Sequence, residues 1–100
     1  MALNRYEALD LMHRRRLQIL VHSVIYYRFN DSLISDHTWS KWALELETLQ
    51  KKYPEIAEML PWSDEFRGFN HSTGYNLPLN DPWAIGTARQ LLSMKYKHAL

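Results

Sequence analysis

Apolar residues in the first third of the chain recur at three- and four-residue steps, the spacing of one face of an α-helix. The stretch from Leu3 to Phe29 contains neither Gly nor Pro. Its apolar positions include Leu9, Met12, Leu17, Leu20, Val21, Val24, Ile25 and Tyr27. This pattern predicts one long helix, with a kink or break near His13 as an open alternative.

A short polar segment separates this helix from a second one. Residues 30–32, Asn-Asp-Ser, favour a turn, because their short side chains can hydrogen-bond the nearby backbone. Ser35 or Asp36 can then cap a helix by accepting from the free amides of its first turn. The apolar stripe that follows comprises Trp39, Trp42, Ala43, Leu46, Leu49 and Tyr53. We expect an antiparallel helical hairpin formed by residues 4–28 and 36–53.

The rest of the chain divides into an irregular segment and a helix. Residues 61–80 combine two glycines, two prolines and several Ser and Asn with four large aromatic residues, so we expect an irregular segment packed on the helices. Asp81 and Pro82 then suit the cap and first position of a helix that runs to about residue 97. The expected fold is a single all-α domain over residues 1–100.

Composition narrows the possible partners. Twelve Lys and Arg against eleven Asp and Glu give a net charge of +1, so no polyanion partner and no direct nucleic-acid binding are expected. The one basic cluster is Arg14, Arg15 and Arg16. Successive helical residues point about 100° apart, so we interpret the cluster as a solvated helix face.

Several site classes find no support in the sequence. The chain has no cysteine, which excludes disulfides and thiolate zinc, and its five histidines share no metal-ligand spacing, so no metal is expected. Phosphate-binding, dinucleotide and nucleophile-elbow glycine motifs are not found. Neither a signal-peptide core nor an apolar run of about 18 residues is evident, so we expect a cytoplasmic protein without a membrane partner.

One stretch, residues 26–56, carries a more specific pattern. In order it reads Tyr26-Tyr27, Asn30-Asp31, Ile34-Ser35-Asp36, Trp39, Glu45-Leu46, Leu49 and Tyr53-Pro54-Glu55-Ile56. This order resembles the N-terminal helical subdomain, domain Ia, of bacterial NAD-dependent DNA ligases. The resemblance covers about a third of the chain without a gap, and the preceding helix fits it in kind.

The resemblance implies a nucleotide site, because in the ligases this subdomain closes over the nicotinamide mononucleotide (NMN) half of NAD. By position, Tyr26 and Tyr27 match the aromatic pair at the helix end, and Asp36 matches the first acid. Trp39 stands in place of the family's second tyrosine and still offers a stacking face. Ser40 stands in place of a second aspartate, and a hydroxyl cannot accept two charge-assisted hydrogen bonds as a carboxylate can.

The resemblance also bears on catalysis. The ligases form a covalent adenylate on a lysine in a Lys-x-Asp-Gly motif, and none of the five lysines here has that context. We therefore expect a non-catalytic, stand-alone module that binds NMN or NAD, or that retains a degenerate form of the site. Without the resemblance, Tyr26, Trp39 and Trp42 are packing aromatics and Asp36 is an N-cap.

The alternative function is protein binding through the segment that the resemblance does not reach. Its candidate contacts are Trp62, Phe66, Arg67, Phe69 and Tyr75, since aromatic and Arg side chains are enriched at interface hot spots. A phage or mobile element could encode such a module as an adaptor or inhibitor of a nucleic-acid enzyme or defence factor. If the four aromatic rings are buried, they serve folding; if two or more stay exposed, they favour partner binding.

Overall fold

A computed structural model describes residues 3–99 of the chain. The elements in order are α1 (Arg5–Phe29), α2 (Asp36–Lys52), α3 (Pro54–Met59), α4 (Ser63–Phe66) and α5 (Pro82–Ala99). Within residues 3–99 there is no β-strand, which confirms the all-α prediction, the helical hairpin and the C-terminal helix. The irregular segment is also as expected, apart from the single turn of α4.

Helix α1 is continuous and does not break near His13. It begins with a capping box, in which Asn4 Oδ1 accepts from the backbone N–H of Glu7 at 2.8 Å and the Glu7 carboxylate accepts from the N–H of Asn4 at 3.1 Å. It ends at Asn30, whose left-handed backbone (φ 50°) closes the helix by donating to the Ile25 carbonyl. With no Gly or Pro inside, nothing interrupts the helical hydrogen bonds.

Of the two cap candidates for α2, Ser35 is the one used. Its Oγ accepts from the backbone N–H of Thr38 at 3.0 Å. Asp36 is the first residue of the helix, where the partial positive charge of the helix N-terminus favours a carboxylate. Pro54 starts α3 directly after α2, since a proline at a first helical position lacks only an N–H that would be unpaired there.

The core lies where α1 packs against both α2 and α5. Its fully buried side chains come mainly from α1, with α2, α3, α4 and α5 each adding to the same cluster. Members include Met12, Ile19, Leu20, Val24, Ile25, Leu46, Ile56, Phe66, Ala84 and Ala88. Because two helices pack on its sides, α1 is the central element of the fold.

A buried arginine joins α3 and α4 to α1. Arg16 is only 1% exposed, and its guanidinium donates to the carbonyls of Ala57 (2.7 Å) and Pro61 (3.0 Å) and to Gln50 Oε1 (2.9 Å). These carbonyls lie at and just after the C-terminal end of α3, where helix carbonyls lack partners and a cation is favoured. Burial lowers the pKa of the Arg16 guanidinium.

The prediction of a solvated basic face was wrong for Arg16 and also for Arg15, whose side chain is mostly buried. Arg14 is exposed and pairs with Asp10. The Arg15 side chain is 16% exposed, with Nε 3.2 Å from Glu45 Oε1 and the guanidinium packed over the Trp42 ring. Arg16 points inward because successive residues of a helix face different directions. The step of about 100° between successive helical residues thus places one arginine of the cluster in the core.

Helix α5 is fixed at both ends. Asp81 caps it by accepting from the backbone N–H of Ala84 at 2.9 Å. Near its C-terminal end, Lys95 Nζ donates to Asp31 Oδ1 at 2.9 Å and the Tyr96 hydroxyl donates to the same carboxylate. These hydrogen bonds, that from Lys95 first, lower the pKa of Asp31 to about 2. The turn of the hairpin is thereby tied to α5.

Among the described residues, no helix combines the length and apolarity needed to cross a membrane.

Candidate ligand-binding cleft

A cleft of about 210 Å³ opens where α1 ends and α2 begins. All five residues singled out by the ligase resemblance line it: Tyr26, Tyr27, Asp36, Trp39 and Ser40. The hairpin explains this meeting, because the last turn of α1 and the first turn of α2 lie beside each other at the connection. The structure therefore brings the predicted site residues together.

The two tyrosines form one edge of the cleft and remain accessible. Tyr26 is 56% exposed and Tyr27 is 39% exposed. Their ring centroids are 4.9 Å apart with the planes nearly perpendicular. The rings meet edge to face, a favourable arrangement for an aromatic pair.

Trp39 forms part of the facing side and is held in place by α1. Its Nε1 donates to Ser23 Oγ at 3.3 Å, and Ser23 itself is 1% exposed. A partly buried indole usually requires such a partner for its N–H. The bond fixes the orientation of the ring, which is what a stacking surface needs.

A third wall comes from residues 70–77, which we name the strap. Ser72 and Thr73 line the cleft, and Thr73 Oγ1 lies 3.0 Å from the Tyr27 hydroxyl. Gly74 is buried against Ser23 and Trp39, and a Cβ at this position would lie 2.3 Å from Ser23 Oγ and 3.1 Å from Trp39 Cζ2. The strap can approach this closely only because Gly74 has no side chain.

The strap is anchored to α2 by a carboxylate. Glu47 Oε1 accepts from the backbone N–H of His71 at 2.8 Å and lies 3.1 Å from His71 Nδ1. The Glu47 side chain is 13% exposed and also accepts from Lys51 at 3.0 Å. These bonds, the His71 side chain first, lower the pKa of Glu47 to about 2. The anchor is thus anionic at neutral pH.

Polar groups line the cleft from α1, from α2, from the turn between them and from the strap. Asp36 and Ser40 are exposed and one helical turn apart, so they share a face of α2. Within residues 3–99 the Asp36 carboxylate accepts no side-chain hydrogen bond, which leaves its oxygens available to a ligand. His22 Nδ1 is buried and has no partner among the described residues. Burial lowers the pKa of His22, which favours the neutral imidazole.

The sequence analysis missed His22, Ser23 and the strap. His22 and Ser23 precede Tyr26 by four and three residues, so the helical period alone could have placed them on its face. No local sequence pattern indicates Thr73, because its contact with Tyr27 joins residues 46 positions apart in the chain.

The candidate partner-binding residues do not form one exposed patch. Phe66 is completely buried and belongs to the core, so the expectation that it contacts a partner is wrong. Trp62 and Phe69 are partly buried against the same core. Arg67 is exposed and pairs with two carboxylates of α3 and α4. Tyr75, at 67% exposure, is the most accessible of the five.

Comparison with protein-family models, curated proteins and solved structures finds no match to this chain. Among side chains of residues 3–97, no three His, Asp or Glu come together in an arrangement that could hold a metal ion.

Proposed function

We propose that this chain is a non-catalytic module that binds a nicotinamide nucleotide, NMN or NAD, in the cleft between α1, α2 and the strap. The observation that supports the proposal is the meeting of all five residues matched to the ligase subdomain in one cleft. The ring of Trp39, the tyrosine pair and the carboxylate of Asp36 supply what the base and the ribose of such a ligand need.

The size of the cleft suits part of a nucleotide. Sites for drug-sized ligands usually enclose about 300–1,000 Å³. A cleft of about 210 Å³ takes a single planar ring and leaves the remaining groups at its mouth. The nicotinamide ring would stack on Trp39, and a stacking aromatic contributes about 1 kcal/mol beyond burial.

The polar groups suit the substituents of the ring. The imidazole of His22 lines the cleft, and in its neutral form one ring nitrogen donates and the other accepts. The Asp36 carboxylate can accept from ribose hydroxyls or from the amide. Asp36 is the first residue of α2, and a carboxylate interacts favourably with a helix N-terminus.

Calorimetric titration with NMN tests the proposal. The Trp39→Ala variant should bind about tenfold more weakly, whereas Trp39→Tyr, which keeps a stacking ring, should retain most of the affinity. Because Trp39 also bonds Ser23, the melting temperature of each variant must be measured alongside. Trp83→Ala is a matched control, since Trp83 is 47% exposed and lies outside the cleft. Absence of heat and of saturation at millimolar NMN would exclude the proposal.

A role as an adaptor or inhibitor that binds a protein is the second candidate function. The observation that favours it is the pair of Trp62 and Trp83. Their ring centroids are 6.2 Å apart, and Trp83 is 47% exposed. Exposed tryptophans are common interface anchors. A pull-down tests this candidate. Loss of a captured partner in Trp83→Ala, without a change in melting temperature, would support it, whereas unchanged capture would exclude the tryptophan pair as an anchor.

A further inference from the structure

The cleft continues into a larger aromatic surface. Tyr75 of the strap lies edge to face with Tyr27, at a centroid distance of 5.6 Å. Together Tyr26, Tyr27 and Tyr75 form a tyrosine cluster at the mouth of the cleft, with exposures of 56%, 39% and 67%. Folding leaves much of these three rings in water. Exposed aromatic rings in contact with one another offer faces on which a planar ligand group can stack.

The backbone of Tyr75 is held beside the cleft. Its N–H donates to Thr73 Oγ1 at 3.1 Å, and the same hydroxyl lies 3.0 Å from the Tyr27 hydroxyl. The neighbouring Gly74 is seated against Ser23 and Trp39. These contacts place the Tyr75 backbone beside the cleft while the strap is closed, and the Tyr75 ring stays exposed there.

We propose that Tyr75, together with Tyr27, forms a second stacking subsite, which takes the other base of a dinucleotide whose nicotinamide half lies in the cleft. This inference rests on the proposed function. The cleft has room for one ring, so the second base of such a ligand lies outside it, on the side where the tyrosine cluster is exposed. Stacking on tyrosine is tolerant of base identity because every base has a π-face.

The balance of charges favours a small ligand over a nucleic-acid strand for this subsite. Strand-binding proteins combine stacking aromatics with a positively charged groove that follows the backbone. Here the net charge is +1, and the cleft beside the cluster contains the carboxylate of Asp36.

Titrations of the full chain with NMN, NAD and adenosine monophosphate test the subsite. Wild-type protein should bind NAD at least about fivefold more tightly than NMN, since base stacking on an aromatic gives a gain of that size or larger. Tyr75→Ala should bring the two affinities together without weakening NMN, and Tyr75→Phe should preserve the difference. Tyr6→Ala is the matched control, because Tyr6 is 83% exposed on the first turn of α1 and should have no effect.

The outcomes separate the two proposals. Equal affinities for NMN and NAD in the wild type, or an equal loss of both in Tyr75→Ala, would overturn the subsite and leave the nicotinamide site standing. The second result would mean that Tyr75 only holds the strap in place. Saturable binding of adenosine monophosphate that depends on Tyr75, without binding of NMN, would retain the subsite and exclude the proposed function. Binding of none of the three would overturn both.

Discussion

Replacing Gly74 by alanine should disturb the wall of the cleft without a direct change to its ligand-facing side chains. The added methyl group would lie 2.3 Å from Ser23 Oγ, 3.0 Å from Ser23 Cβ and 3.1 Å from Trp39 Cζ2. Contacts of this length cannot persist, so either the strap or the Ser23 hydroxyl must move. Moving Ser23 is costly because it is 1% exposed and accepts the Trp39 indole bond.

The cost can be estimated from these contacts. Overpacking of a well-packed site costs about 1–3 kcal/mol, and loss of the Trp39–Ser23 hydrogen bond adds about 1 kcal/mol. If the strap moves instead, the hydrogen bond survives and the loss lies at the lower end. We therefore expect Gly74→Ala to destabilise the domain by about 2 kcal/mol. A domain of this size loses about 4–8 °C of melting temperature per kcal/mol.

Urea unfolding followed by tryptophan fluorescence measures this loss. Gly86→Ala is the matched control, because a methyl at Gly86 meets no atom within 4 Å and its position inside α5 favours alanine. This control should be stabilised by about 0.5–1 kcal/mol. Ser23→Ala removes the closest atom, so the double variant should lose less than the two single variants together. If the Gly74→Ala variant is as stable as the wild type, the strap does not pack closely against Ser23 and Trp39.

Three further substitutions test other parts of the argument. Arg16→Ala should lower the free energy of unfolding, measured by urea titration, by about 2–4 kcal/mol, because buried hydrogen bonds from a charged group are lost. The exposed Arg14→Ala control should change it by less than about 0.5 kcal/mol, and equal effects of the two substitutions would contradict the buried role of Arg16. The ionised Asp31 carboxylate, whose pKa is lowered to about 2, contributes stability that is fully present above about pH 4 and is lost as the pH falls to about 2. Asp31→Asn should therefore flatten this part of the acid-unfolding profile, and an unchanged profile would refute the Lys95 contact. Ser40→Asp should tighten NMN binding severalfold by adding a charge-assisted acceptor, at a cost of about 0.2–0.5 kcal/mol in stability from repulsion by the carboxylate one turn earlier; weaker binding would argue against a carboxylate-binding group of the ligand at this position.

The hairpin could be predicted from sequence because its determinants are local. The helical period, the absence of Gly and Pro in α1 and the capping residues each act within a few positions of the chain. Cap selection shows the limit of this reasoning, since both Ser35 and Asp36 satisfy the pattern and only the geometry selects Ser35. The five residues matched to the ligase subdomain all lie within ten positions of the turn, so the hairpin alone is enough to bring them together.

Arg16 and the strap could not be predicted because their contacts are distant in sequence. The guanidinium of Arg16 reaches carbonyls 41 and 45 positions away. A charged residue on a helix is expected at the surface. Arg16 is buried only because the segment around Ala57 and Pro61 covers it. The contact of Glu47 with His71, 24 positions away, has the same character.

The strap has few buried anchors, and this affects how the cleft would bind a ligand. Of its residues only Gly74 and Leu77 are buried, while His71 and Thr73 hold it through polar contacts at the surface. Segments with few buried apolar contacts open at a lower free energy than the core. A ligand that touches both Trp39 and the strap binds only when the strap is closed, so part of its binding free energy stabilises that closure. Because the strap lies outside the ligase resemblance, its closure would set the affinity of this chain through residues that the resemblance does not cover.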